Sequence, residues 1–128
     1  MDLNGKAALV TGGAVRVGKA IALALAQAGA DVAINYHSSA AAAMTTVAEI
    51  EALGRRAAAI RADVAQGSQV KALVDEAVAR LGRLDVLVNS ASLWRKTPWA
   101  ELDEAAWDQL VDIALKGPFL CAKAAAPH

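Results

Sequence analysis

Thr11-Gly12-Gly13-Ala14-Val15-Arg16-Val17-Gly18 decides the fold, because it joins the apolar run Ala7-Ala8-Leu9-Val10 to an amphipathic stretch. A short apolar run of this kind reads as a strand buried in a parallel sheet, and it ends at Thr11. Gly12 and Gly13 permit positive φ and close approach of a ligand to the backbone, while Gly18 lets the following helix pack tightly. The free N–H groups of that helix's first turn, reinforced by its dipole, point at an anion. A phosphate is therefore expected at the helix start, with the Arg16 guanidinium beside it where a third glycine is usual. The competing reading is a plain βα turn without a ligand, and the flanking strand and helix weigh against it.

Outward from this loop, short apolar runs alternate with longer amphipathic ones. Strands are predicted at 6–11, 31–36, 57–62 and 84–89, and helices at 17–28, 40–53, 68–81 and 103–125. The helical stripes are Ile21, Ala24, Leu25 and Ala28, then Val47, Ile50 and Leu53, then Val70, Leu73, Val74, Ala77, Val78 and Leu81. Gly29, Gly54 and Gly82 follow the helices where a left-handed cap is wanted, and Asp103 with Glu104 suits a helix start. The alternation predicts an α/β fold, a Rossmann-like doubly wound parallel sheet of order 3-2-1-4, with a ligand crevice at the carboxyl ends of strands one and four. Strand four is then an apolar edge. With the abrupt ending Ala126-Pro127-His128, it suggests that 1–128 is one dinucleotide-binding domain, the first half of a longer one.

Composition narrows the class. The 128 residues carry 13 Lys and Arg against 13 Asp and Glu, and 56% are apolar. That describes a soluble globular chain and excludes a disordered one or a basic nucleic-acid binder. Cys121 is the single cysteine, which excludes an internal disulfide and a multi-cysteine metal site. Its apolar helical setting reads as a buried thiol and fits a reducing cytoplasm. The start Met1-Asp2-Leu3-Asn4-Gly5-Lys6 has no signal pattern, and no run is long enough to span a bilayer. A cytoplasmic protein with no metal, nucleic acid or membrane partner is expected.

The second strand ends in Asn35-Tyr36-His37-Ser38-Ser39, about 20 residues past the glycine loop, where a dinucleotide fold meets the adenosine ribose. An NAD-selective site places Asp or Glu there. Asn35 carries no charge to repel a 2′-phosphate, and His37, Ser38, Ser39 and local N–H groups offer donors to its oxygens. NADP is favoured over NAD. The competing reading is a polar turn with a helix cap.

Arg61-Ala62-Asp63-Val64 closes the third strand and Leu84-Asp85-Val86-Leu87-Val88-Asn89-Ser90-Ala91-Ser92 closes the fourth. With the glycine loop, these segments resemble the short-chain dehydrogenase/reductase family over the whole chain. The resemblance implies NADP contacts from Gly12, Arg16 and Val17, and from Tyr36, His37, Ser38 and Ser39. It sets Asp63 and Val64 against adenine. The family's Asn-Asn-Ala-Gly segment, which lines the cofactor ribose and steadies the sheet, is here Asn89-Ser90-Ala91-Ser92, departing at its second and fourth positions. Without the resemblance, Asp63 is a solvated strand-end carboxylate and Asn89 a buried amide satisfied by backbone.

Arg16, Tyr36-His37-Ser38-Ser39, Ser92, Leu93-Trp94 and Thr97-Pro98 are similar to the pteridine reductase branch, whose loop reads Thr-Gly-x-x-x-Arg-x-Gly. That likeness implies Arg16 between cofactor phosphate and pterin, Ser92 on the pterin and Trp94 over its ring. The chemistry is sound, since a flat heteroaromatic stacks on indole and a guanidinium meets both phosphate and ring acceptors. Against it stands a Trp94 packed on the subunit surface and an Arg16 serving phosphate alone.

Reduction in this family implies hydride from NADPH and a Tyr-x-x-x-Lys pair for the proton. Tyr36, the only tyrosine, is followed four residues on by Ala40 and lies at the adenosine end, so no catalytic residue is assigned. In Ile113-Ala114-Leu115-Lys116-Gly117, Ala114 stands where the family's proton-relay asparagine is usual, and Lys116 reads as a solvated helical lysine. The expected function is the cofactor half of an NADPH-dependent reductase acting on a pterin or dihydrofolate-like small molecule. The alternatives are a ketone or 3-oxoacyl thioester reductase, a non-catalytic dinucleotide-binding or interaction module, and a segment that binds nothing well. Trp107, Leu110, Val111, Leu115, Phe119 and Leu120 exceed what one sheet face needs, and the resemblance implies a homo-oligomer, dimer or tetramer, through this helix. Alternatively they face the protein's own sheet.

Overall fold

The computed structural model describes residues 1–128. Its elements are β1 (Ala7–Thr11), α1 (Arg16–Gln27), β2 (Asp31–Tyr36), α2 (Ala40–Ala52), β3 (Ala57–Arg61), α3 (Gly67–Leu81), β4 (Val86–Asn89), α4 (Glu104–Val111) and α5 (Gly117–Ala125). The strands form one parallel sheet of order β3-β2-β1-β4, as the alternation predicts. Thr11 lies opposite Asn89 and Tyr36 opposite Arg61, so the carboxyl ends of all four strands share one rim.

Strand periodicity sorts the core into two layers. Ala8 and Val10 of β1 and Val32 and Ile34 of β2 pack with Ala22 and Leu25 of α1 and Val47 and Ile50 of α2. On the opposite face Leu9, Ala33 and Ile60 meet Leu73, Val74, Ala77 and Leu81 of α3. Burying each of these larger side chains stabilises the fold by about 1.5–3 kcal/mol. Gly29, Gly54 and Gly82 have positive φ at the helix ends, as expected.

Two helical faces differ from the expectation. In α1 the buried residues are Gly18, Ala22, Leu25 and Ala26, while Ala24 is exposed. An alanine-rich helix has apolar residues on every side, so its stripe leaves the facing ambiguous. Leu53 follows the end of α2 and is exposed, outside the stripe that Val47 and Ile50 bury. Strand β4 also begins at Val86, two residues later than predicted. Asp85 instead turns its carboxylate to accept the Ala7 N–H at 2.9 Å.

The single helix expected at 103–125 is divided. Asp103 caps α4, its Oδ1 accepting the Ala106 N–H at 2.8 Å. The wider π-helical segment Asp112–Lys116 then separates α4 from α5. Pro118 has no N–H to give the Ala114 carbonyl, which interrupts the regular ladder at this point. Cys121 of α5 is buried beside Val64 and Val70. Burial pushes its thiol up to about 11, which disfavours the thiolate. Trp107, Leu115 and Phe119 are exposed and do not face the sheet, while Leu110, Val111 and Leu120 are half-buried. Along β4, Val86, Leu87 and Val88 are also half-buried, as befits an edge. No helix is long and apolar enough to cross a membrane.

Candidate functional site

The glycine loop is built by two different requirements. Gly12 has φ 63°, and a Cβ there would lie 2.8 Å from the Ala91 Cα. Gly13, by contrast, does not use positive φ. It is needed for space, since its Cβ would lie 2.7 Å from Ile34 Cγ2. At Gly18 a Cβ would overlap the Gly12 carbonyl oxygen, so this glycine lets α1 seat on the loop itself. Arg16 is the one non-glycine residue with positive φ, at 50°. A left-handed conformation costs an ordinary side chain about 1–2 kcal/mol, a cost that glycine avoids.

The loop's hydrogen bonds decide which amides face a ligand. Gly12 N–H donates to Asn35 Oδ1 at 3.2 Å and Gly13 N–H to the Asn35 carbonyl at 3.1 Å. Both glycine amides are therefore spent inward. The first helical bond runs from Lys19 N–H to the Val15 carbonyl at 3.2 Å, leaving the amides of Arg16, Val17 and Gly18 without an intrahelical acceptor. The anion donors thus sit beyond the glycines, at the start of α1. On the loop's other side, Thr46 Oγ1 of α2 donates to the Ala14 carbonyl at 3.0 Å. Thr11 Oγ1 accepts the N–H groups of Ser90 and Ala91 at 3.0 Å each, tying β1 to the segment after β4.

Thr11, Asn35 and Thr46 are the buried polar side chains of the chain, and all three serve this loop or its junction. The sequence puts Asn35 at the strand end as a residue with no charge to repel a 2′-phosphate. It is 2% exposed, and its Nδ2 donates to the Ala62 carbonyl at 3.0 Å. Strand alternation explains this: Asn35 shares a face with buried Ala33 and lines the cleft only as a nearly buried side chain, while the turn after Tyr36 is exposed.

A cleft of about 500 Å³ crosses the rim of the sheet. Gly12 and Ala14 to Gly18 form one wall, with Arg16 and Val17 exposed at its lip. Tyr36, His37, Ser38 and Ser39 close one end. Ala62, Asp63 and Val64 form the second wall, and Ser90, Ala91, Ser92, Leu93 and Trp94 close the far end with Ile113. The cleft therefore gathers every candidate named from sequence except Asn89. That residue follows the alternation of Leu87, away from Val86 and Val88, and ends exposed on the edge strand. It does not line the cleft, and its amide is exposed where β4 has no further neighbour.

Local bonds orient the walls. Asp63 Oδ1 accepts the Ala65 N–H at 2.9 Å, and its N–H donates to Gln69 Oε1 at 2.8 Å, leaving the second carboxylate oxygen for a ligand. Arg61 Nε donates to the His37 carbonyl at 3.0 Å and steadies the turn at the cleft's end. Trp94 is 82% exposed, with its indole open to a ligand rather than packed on the chain. Lys116 pairs with Asp112 at 3.1 Å on the exposed face, as expected for a solvated lysine. Sequence reasoning missed Asn35 and Thr46 as braces of the loop and Ile113 as a lining residue. Thr46 was detectable, since it falls in the stripe of Ala43, Val47 and Ile50.

A family model for the short chain dehydrogenase matches residues 6–128. The chain belongs to the short-chain dehydrogenase family. It is 44% identical over 123 residues to a 3-oxoacyl-[acyl-carrier-protein] reductase of Staphylococcus aureus, covering 96% of this chain and 50% of the relative. A short chain dehydrogenase from Burkholderia cenocepacia, solved in complex with NADP, superposes with a TM-score of 0.96 at 44% identity, over 100% of this chain and 52% of that one. A blue fluorescent protein from a metagenomic library, in complex with NADPH, gives 0.92 at 41% identity, over 99% and 52%. The chain thus spans about half the length of the curated relatives it matches. These likenesses establish the family and not the pteridine reductase branch.

Proposed function

We propose that residues 1–128 form the cofactor half of an NADP(H)-dependent short-chain reductase whose substrate is a flat heteroaromatic ring of the pterin or dihydrofolate type. The observation that carries this is Arg16, held at φ 50° on a cleft that Ser92 and Trp94 also line. A guanidinium there neutralises a cofactor phosphate and hydrogen-bonds ring acceptors of a substrate, and the open indole offers a stacking face.

The residues suit the dinucleotide. The amides of Arg16, Val17 and Gly18 and the α1 dipole would receive its pyrophosphate. The free oxygen of Asp63 would accept from the adenine amino group. His37 and the hydroxyls of Ser38 and Ser39 would take the 2′-phosphate, with no carboxylate at the strand end to repel it. The cofactors named for the Burkholderia and metagenomic proteins support the same assignment. When bound, NADPH supplies the hydride. The residues here hold and orient it, and Tyr36, at the adenosine end, does not supply the proton.

Reduction of a 3-oxoacyl thioester is a second reading, supported by the Staphylococcus aureus relative. The test has two stages. Calorimetry on the chain should give NADPH an affinity at least about tenfold above NADH, the equivalent of one extra charge-assisted contact. NADPH oxidation by the full-length protein should then proceed with dihydrobiopterin or dihydrofolate. Turnover with a 3-oxoacyl thioester alone would move the assignment to the second reading, and absence of dinucleotide binding would refute both.

A further inference from the structure

Asn35 makes hydrogen bonds from both ends of its amide, and they run to opposite walls of the cleft. Oδ1 accepts the Gly12 N–H at 3.2 Å, while Nδ2 donates to the Ala62 carbonyl at 3.0 Å, with longer contacts to the carbonyls of Tyr36 at 3.3 Å and Ile60 at 3.4 Å. Gly12 follows β1 on the phosphate side, and Ala62 follows β3 immediately before Asp63 and Val64 on the adenine side. Strand β2 lies between β1 and β3, so these two strands share no ladder. The side chain of Asn35, on β2, spans the gap.

We propose that Asn35 is a positioning residue that locks the phosphate-side loop to the adenine-side turn, so that the cleft holds both ends of a dinucleotide as one unit. This rests on reading the cleft as a dinucleotide site. The position needs a carboxamide, with one acceptor for the Gly12 N–H and one donor group for the carbonyls. Aspartate has the same shape and keeps the acceptor. Its second oxygen would meet the Ala62, Ile60 and Tyr36 carbonyls with no hydrogen to give when ionised, a costly arrangement in a site 2% exposed. Gly12 and Gly13 amides turned toward Asn35 also explain why anion donors begin only at Arg16.

The test compares the 128-residue chain with its Asn35→Asp variant by calorimetry, with affinities referred to the folded fraction. The probes are NADPH and adenosine 2′-monophosphate, which has the adenosine end and no pyrophosphate. The variant should bind both about tenfold more weakly, the loss of one buried hydrogen bond at the adenine-side turn. A second measurement needs no variant: in the parent, adenosine 2′-monophosphate should slow hydrogen exchange at the Gly12 amide by more than at amides that exchange only through global unfolding, because Asn35 ties that amide to the adenine-side turn. A merely structural asparagine predicts only the uniform slowing that ligand-linked stabilisation gives to globally exchanging amides. Parent-like affinities in folded Asn35→Asp, or Gly12 exchange slowed no more than the globally exchanging amides, would overturn the proposal. A parent that binds neither probe overturns the dinucleotide reading instead.

Discussion

Replacing Gly12 by alanine sets two separate costs against the fold, and two other glycines isolate each of them. At Gly12, φ is 63° and the new Cβ would lie 2.8 Å from the Ala91 Cα, a backbone atom that cannot rotate aside. The left-handed conformation costs about 1–2 kcal/mol. Crowding in a well-packed region adds about 1–3 kcal/mol, for a combined destabilisation of about 2–5 kcal/mol. Gly54, after α2, has φ 78° and a Cβ there would meet nothing within 4 Å, so Gly54→Ala carries the conformational cost alone. Gly13 has no positive φ, but a Cβ there would lie 2.7 Å from Ile34 Cγ2 and 3.0 Å from the Val10 carbonyl oxygen, so Gly13→Ala carries the crowding cost alone. Alanine's lower unfolded-state entropy offsets every substitution by a similar ~0.4–1 kcal/mol and cancels between them. Urea denaturation of the three variants and the parent, with the slope checked for constancy, measures the differences. Gly12→Ala should be the most destabilising. If it costs no more than Gly54→Ala, the contact between the loop and Ala91 does not hold the two together as described.

Thr46→Val, nearly isosteric, leaves the buried Ala14 carbonyl without its donor and should cost about 1–3 kcal/mol, while Thr46→Ser keeps the bond and recovers most of it. Equal unfolding midpoints for the valine and serine variants would count against the brace. Asp85 is held at about 2, against an ordinary 3.8, chiefly by the Arg83 guanidinium and then by the Ala7 N–H. Its folded value is the lower one, so its contribution is complete above the unfolded value and is lost as pH falls from about 4 toward 2. Acid titration of stability should therefore be shallower for Asp85→Asn over that window, and an unchanged slope would refute the role.

Some of this was legible because it is local. The runs Ala7–Val10, Val32–Ile34 and Val86–Val88, spaced by helix-length segments, determine strand identity, and right-handed crossovers then leave one sheet order. Gly29, Gly54 and Gly82 mark helix ends because the left-handed cap is a property of one residue. The cleft was legible for a related reason: parallel strands bring all their carboxyl ends to one rim, so residues far apart in sequence but each just past a strand must meet there.

The sequence by itself determined the element order, the sheet topology and which segments converge on the cleft, since these follow from apolar periodicity, turn residues and chain handedness. Only the tertiary structure decided where individual side chains and amides face. An alanine-rich α1 shows no unique apolar side until it is packed, and although strand alternation sets the face of Asn35, its partners, the Gly12 amide and the Ala62 carbonyl, come from two other elements. Asn89 is exposed because β4 has no further strand beside it, and Arg16 has a φ of 50° at the first residue of α1. Packing sides, hydrogen-bond partners and exposure depend on elements distant in the chain, which no local pattern encodes.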